Sequence, residues 1–355
     1  MENLKLNEAP VRTSRNFNIN NIKIDNVNIP ENIGNFENVK IIDKSSNVKV
    51  EQAKTLNTKL VYGLGNILEE QVKTNANQKI KLSINSKSNE EIQISFKFDK
   101  NNLNLVDNIE IVANEGTKAT IILKYESDKN VEAFHNGIIR MLAKKDSKIN
   151  VIIVNFMNQT SNNFIAIENT LEENSKVDYY VIDFGGKNSI TNYYSNLKGD
   201  FAENTIDAIY LGKDEQLFDL NYIAELRGKK TSVNIEVEGA LKDKAKKHFK
   251  GTIDFKKGAK KAKGNENENC MLLSDTAKSL ALPMLLCSEE YVEGNHSSSA
   301  GKIGEKELFY IMSRGFTLKE AKKLLVRAKF NKILENIENE ELKEQILNEI
   351  DERLD

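Results

Sequence analysis

Gly116-Thr-Lys-Ala-Thr-Ile-Ile-Leu123, Asp146-Ser-Lys-Ile-Asn-Val-Ile-Ile153 and Asn174-Ser-Lys-Val-Asp-Tyr-Tyr-Val181 read as three versions of one phrase. Each begins with a residue suited to a tight turn and continues into alternating apolar and polar positions. Ala119, Ile149 and Val177 align, at steps of 30 and 28 residues. Glu203-Asn-Thr-Ile-Asp-Ala-Ile-Tyr210 is a weaker fourth copy. A turn and strand recurring at a near-fixed step, with no helix between, is what stacked coils of a β-solenoid require. A large β-sandwich or barrel would show strands at similar spacing, so on periodicity alone both architectures stand.

The same alternation extends outward, in Ile80–Ile84, Ile92–Phe98 and Val233–Val237. Before it, residues 1–48 are rich in Asn and hold Pro10 and Pro30, and they read as an irregular extension. A short helix is expected within 50–73, ending near Thr74-Asn75. Past residue 300 the period becomes helical. Glu305–Ser313 reads as a short helix stopped at Gly315, and Thr317-Leu-Lys-Glu320 as a capping box opening a helix to about Ile337. Leu342, Ile346, Ile350 and Leu354 make a single apolar stripe on a strongly acidic last helix. The organisation expected is an N-terminal segment with a short helix (1–76), a β core (77–303) and a C-terminal helical domain (304–355).

With 355 residues, 39% of them hydrophobic, and only 3 prolines, the chain can build a sizeable core. A net charge of −2 argues against a nucleic-acid or anionic-membrane partner. No apolar run approaches the roughly 18 residues of a membrane span. Two cysteines, Cys270 and Cys287, and an N-terminus without an apolar signal core suggest a cytoplasmic protein. Ten lysines between Lys242 and Lys263 read as a solvated face, because arginines and interleaved aromatics are scarce there. Gly228-Lys-Lys-Thr231 lacks the earlier glycine and the hydroxyl residue of a phosphate loop, so no nucleotide hydrolysis is expected. Two thiols are too few to hold an iron–sulfur cluster in one chain. His135, His248 and His296 do not pair at ligand spacing, and Ser297, Ser298 and Ser299 read as a polar turn. Both cysteines read as small buried hydrophobes.

One further pattern carries more. Pro10-Val-Arg-Thr13, Phe134-His-Asn-Gly137, Leu241–Ala245, Phe249–Phe255, Pro283–Cys287, Glu289–Val292, Gly294-Asn-His296 and Leu308-Phe-Tyr310 through Ser313-Arg-Gly315 occur in this order. Together they resemble the SufB/SufD family of iron–sulfur cluster assembly scaffolds, and within it the SufD branch. That resemblance implies a right-handed parallel β-helix followed by a helical domain, acting as a non-catalytic subunit. It implies pairing with a SufB-like paralogue, docking of a SufC-like ABC ATPase, and a transient iron–sulfur cluster at the subunit interface, with no cofactor held tightly by the chain alone. His296 falls on the family's histidine proposed as an iron or cluster ligand. Phe309, Tyr310, Arg314 and Gly315 fall in the segment that leads into the ATPase-binding helices. The flanks Asn295 and Ser297 depart from the SufB pattern. Cys270 is one position out of register with the SufB cysteine and inherits no role from it. The competing expectations are a polysaccharide-active β-solenoid enzyme, a SufB-type subunit, and a homodimeric scaffold.

Overall fold

The computed structural model describes residues 2–11, 19–56 and 59–355. Arg12 and Thr13 of the Pro10–Thr13 segment lie outside them. The protein is a flattened parallel β-solenoid of about eight turns, so the open choice between solenoid and sandwich is resolved for the solenoid. Alternate strands of the chain feed two sheets of nine strands each. The first sheet runs from Val39–Asp43 at one edge to Glu293–Lys302 at the other. The second runs from Val48–Gln52 to Lys278–Cys287.

The repeat in the sequence is the rung of the solenoid. Ala119 pairs with Ile149, Ile149 with Val177, and Val177 with Asn204, all in parallel register. The turns stack as well. Gly116, Asp146 and Asn174 adopt positive φ, the conformation that Gly, Asp and Asn tolerate best, and each turn donates a backbone N–H to the next. Every second side chain of a strand then points into the space between the sheets, where one apolar core runs from Ile80 to Ala277.

The stretch 1–48 departs from the expected irregular extension. It holds the antiparallel pair Glu2–Leu6 and Ile22–Val27. Val39–Asp43 and Val48–Gln52 pair antiparallel with the first solenoid strands, Lys87–Phe98 and Gln78–Ile84. The reason is positional: the first rung exposes unpaired backbone on both sheets, and these short strands satisfy it. Helix α1 (Asn66–Asn75) buries Leu68 and Val72 against the outer face of the second sheet.

Helices α2 (Glu305–Ser313), α3 (Leu318–Leu334) and α4 (Glu340–Leu354) follow the last rung. Thr317 and Glu320 form the expected capping box, and Gly315 has φ of 98°. The stripe Leu342, Ile346, Ile350 and Leu354 is buried, together with Val326, Phe330 and Ile333 of α3. They cover an apolar patch on the outer face of the first sheet, formed by residues such as Ile152, Phe156, Phe184 and Leu211. The outer face of a solenoid strand is normally polar, so this patch marks where the helices belong.

Toward the C-terminal edge the covered face turns acidic. Asp207, Glu236 and Glu238 are buried beneath α3, where Lys332 Nζ lies 2.5 Å from Glu236 and Asn336 donates to Asp207 at 3.3 Å. Burial, then the charge of Glu236, pushes the Asp207 carboxyl up from 3.8 to about 6. Between roughly pH 4 and 6 the folded chain therefore keeps a proton that the unfolded chain has lost. Stability falls as pH rises through that window and stays lower above it. Asp207→Asn should stabilise the protein by on the order of 2 kcal/mol at pH 7.5. The gain should vanish below pH 4, as read from melting curves across pH; an equal effect at both pH values would refute the burial argument.

Candidate functional site at the open end of the solenoid

The inward ladders change chemistry at the last two rungs. One ladder reads Ile121, Val151, Tyr179, Ile206 and Ile235, then Glu266 and His296. Its neighbour reads Leu123, Ile153, Val181, Ala208 and Val237, then Glu268 and Ser298. These two ladders, apolar over five rungs, become acidic and polar where they meet solvent, while the other buried polar groups of the lumen, Asp107, His135, Asn155 and Asp183, lie well inside it. Packing alone gives no reason for this, since Ile or Val would fill the same positions at lower cost.

The polar groups form a connected set. Lys247 reaches across from the second sheet, and its Nζ lies 2.6 Å from Glu268 Oε1. Tyr210 donates to the same oxygen at 3.1 Å, and Ser298 to Glu268 Oε2 at 2.8 Å. Lys247 is fully buried, and a buried ammonium is tolerable only with such a partner. Cys270 lies in the same lumen, buried, with its thiol pushed up by desolvation and opposed by the charge of Lys247. Glu266 is also fully buried, and neither of its oxygens has a hydrogen-bond partner. Burial, then the charge of Glu268, raises its carboxyl to about 8.

His296 sits above this set, exposed, in the strand Glu293–Lys302. Ser297, Ser298 and Ser299 therefore belong to a strand and not to a turn. Ser297 and Ser299 point outward and continue a ladder through Asn267 and Asn269, at 2.7 Å each. The whole strand is exposed, and it ends its sheet. Its companion Lys278–Cys287 ends the other sheet and carries Pro283, a residue confined to sheet edges. Cys287 is exposed, contrary to the expectation of a buried hydrophobe, because no further rung covers it. Two neighbouring bare edges, with a polar lumen between them, form a surface that another strand-bearing protein can extend.

A second exposed surface lies on α2. This helix buries no residue. Phe309 is 75% and Tyr310 60% exposed, with Met312, Phe316 and Leu318 exposed nearby. Arg314 stacks on Tyr310, 5.2 Å from the ring centre. The structure thus gathers Phe309, Tyr310, Arg314 and Gly315 on and just after α2, whereas His296 lies in the strand that precedes this helix.

The chain also matches a known family. The core domain of the SufBD proteins of SUF-system FeS cluster assembly covers residues 96–329, from the end of the strand Lys87–Phe98 into α3. The chain belongs to the SufB/SufD family. It is 23% identical over 265 residues to the iron-sulfur cluster assembly protein SufD of Bacillus subtilis (strain 168), covering 74% of this chain and 61% of that protein. It is 23% identical over 246 residues to an iron-sulfur cluster assembly SufBD family protein of Staphylococcus saprophyticus, covering 68% of this chain and 52% of the relative. A SufBD family protein of Staphylococcus epidermidis gives 22% over 245 residues. The chain spans between half and two thirds of the length of these relatives.

The lysine-rich segment is only partly the solvated face expected of it. Lys247 is buried in the lumen, and Lys250 is buried on the outer face of the second sheet, 2.6 Å from Asp219 and beneath the N-terminal segment at Asn7. Sequence reasoning also missed Glu266 and Glu268. Their signal was available: once Ile235 and Val237 are aligned as inward positions, the residues one rung later are glutamates. Among the described residues no cluster of three or more His, Cys, Asp or Glu side chains is arranged to hold a metal ion. No helix among them is long and apolar enough to cross a membrane.

Proposed function

We propose that the chain is a non-catalytic scaffold subunit of a cytoplasmic SUF iron–sulfur assembly complex. It pairs through its open C-terminal rung with a SufB-like paralogue and receives a SufC-like ABC ATPase on α2. Iron or a nascent cluster is cargo at the shared interface, and His296 lends it one imidazole. The observation that carries this reading is the final rung: two bare strand edges flanking a lumen that turns polar there. Neutral imidazole suits iron. Cys270 is buried, and among the described residues no three His, Cys, Asp or Glu side chains are arranged to hold a metal ion, so the remaining ligands come from a partner.

The rigid solenoid suits a scaffold. Its rungs share one continuous core, so a displacement imposed on the helices is passed to the open rung with little internal deformation. His296→Ala should leave the melting temperature unchanged, because the side chain is exposed. In complex reconstituted with a SufB-like and a SufC-like partner, the same variant should lower cluster yield by at least about tenfold, the smallest loss that even outer partners of a metal ligand cause. Visible absorbance of the assembled cluster reads this, and undiminished yield removes His296 from the site. Sedimentation of the isolated chain tests whether the bare edges also pair two copies.

A further inference from the structure

Glu266 is buried at considerable cost and is used by nothing around it. Among the described residues it is the only carboxyl with both oxygens buried and unpartnered. The fold nevertheless makes room for it. The carboxyl lies against Gly251 of the facing sheet, where a Cβ would come within 2.3 Å of its carboxyl carbon. Any other residue at 251 would displace it. Four of the five positions beneath Glu266 in its ladder are Ile or Val, including Ile206 and Ile235 directly below it, so an aliphatic side chain fits the site.

What lies above Glu266 is His296. The two are register partners in adjacent parallel strands and project to the same side. Two residues further along the same pair of strands, Ser298 already bonds down to Glu268 at 2.8 Å. The Glu266 carboxyl is thus a free acceptor one rung below the imidazole. An imidazole that binds metal through one nitrogen commonly gives its other N–H to a carboxylate, which fixes the ring's tautomer and orientation.

Resting on the reading of His296 as a ligand, we infer that Glu266 is the positioning residue for His296, accepting the ring N–H that faces the lumen so that the other nitrogen is presented to iron at the interface. The cradle at Gly251 holds the carboxyl for that bond. Ser298 and Glu268 form a parallel strut beside it.

The test uses the full-length chain with ¹⁵N-labelled histidine rings. Only three histidines are present, and His296→Ala identifies the relevant signals. Co²⁺ is the probe, read by selective paramagnetic broadening, and ring tautomer is read from the metal-free nitrogen shifts. His296 should broaden first in the wild type. Glu266→Leu, which matches the aliphatic ladder below, should raise the Co²⁺ concentration needed by about 10–100-fold and change the tautomer balance. Its melting temperature should not fall, which separates positioning from a structural role. Glu266→Gln, which keeps an acceptor, should recover part of the affinity. Gly251→Ala should act in the same direction as Glu266→Leu by pushing the carboxyl from its cradle. Unchanged Co²⁺ binding and tautomer in Glu266→Leu would overturn the inference while leaving His296 as a ligand. Absence of selective broadening at His296 in the wild type would overturn both.

Discussion

Replacing Phe309 and Tyr310 together by Ser should abolish binding of a SufC-like ATPase while leaving the fold untouched. Both residues are exposed, on a helix that buries nothing. Removing them therefore costs the chain no core contact, and surface changes of this kind shift stability by only about 0.5 kcal/mol. Binding is another matter. Adjacent large aromatics beside an arginine are the residue types that dominate interface energies, each contributing about 2 kcal/mol or more. Losing two such anchors should weaken binding by roughly a thousandfold, since about 1.4 kcal/mol is a factor of ten. Co-purification with the ATPase, alongside a melting curve, reads both halves. If the ATPase still binds the doubly substituted chain, the dock lies elsewhere. Arg314→Ala should give a smaller loss, because it removes the cation stacked on Tyr310 but leaves both rings.

Truncation after residue 315 should do something quite different from what removal of a docking module would do. Helices α3 and α4 and the turn between them contribute nine large apolar side chains to the cluster on the first sheet, from Val326 to Leu354. At about 1.5–3 kcal/mol each, their burial rivals the roughly 5–15 kcal/mol net stability of a whole domain. Deleting 316–355 uncovers Ile152, Phe156, Phe184 and Leu211 together. A contiguous apolar face of that kind drives association. The truncated chain should be recovered mainly as aggregate, and its soluble fraction should bind a hydrophobic dye. Lost ATPase binding in such a variant would say nothing about the dock, which is why the substitutions on α2 are the sharper experiment. A soluble, monomeric, cooperatively melting 1–315 chain would show that the helices are an appendage and not part of the core.

The two experiments separate the roles that the C-terminal segment combines. Its inner side is core, and its α2 surface is free. The same division applies at the open rung, where Glu268 and Lys247 are held in a closed network while His296 is not.

Several features were decided by the sequence alone, because they depend on local periodicity and on short chemical motifs. The phrase repeated at Gly116, Asp146 and Asn174 carries both the turn and the strand, and its step is the rung. Thr317 and Glu320 cap α3 within four residues of one another, and the four-residue stripe of α4 names its own buried face. The family itself was legible in an ordered pattern of short segments, and the match over 96–329 supports it. Tertiary structure alone decided the rest, for one physical reason. In a solenoid each residue's partners lie a full rung away, about 30 residues along the chain, and both faces of a strand can be covered. Alternation then says that two sides differ but not which is inside. Lys247 and Lys250 sit in one lysine-rich run, yet one is buried in the lumen and the other beneath the N-terminal segment, each set by a carboxylate more than 20 residues distant. The strands Val39–Asp43 and Val48–Gln52 form only because the first rung offers them unpaired backbone. Glu266 acquires its meaning from Gly251 across the lumen and His296 one rung above, neighbours that only the stacking of the coils brings together.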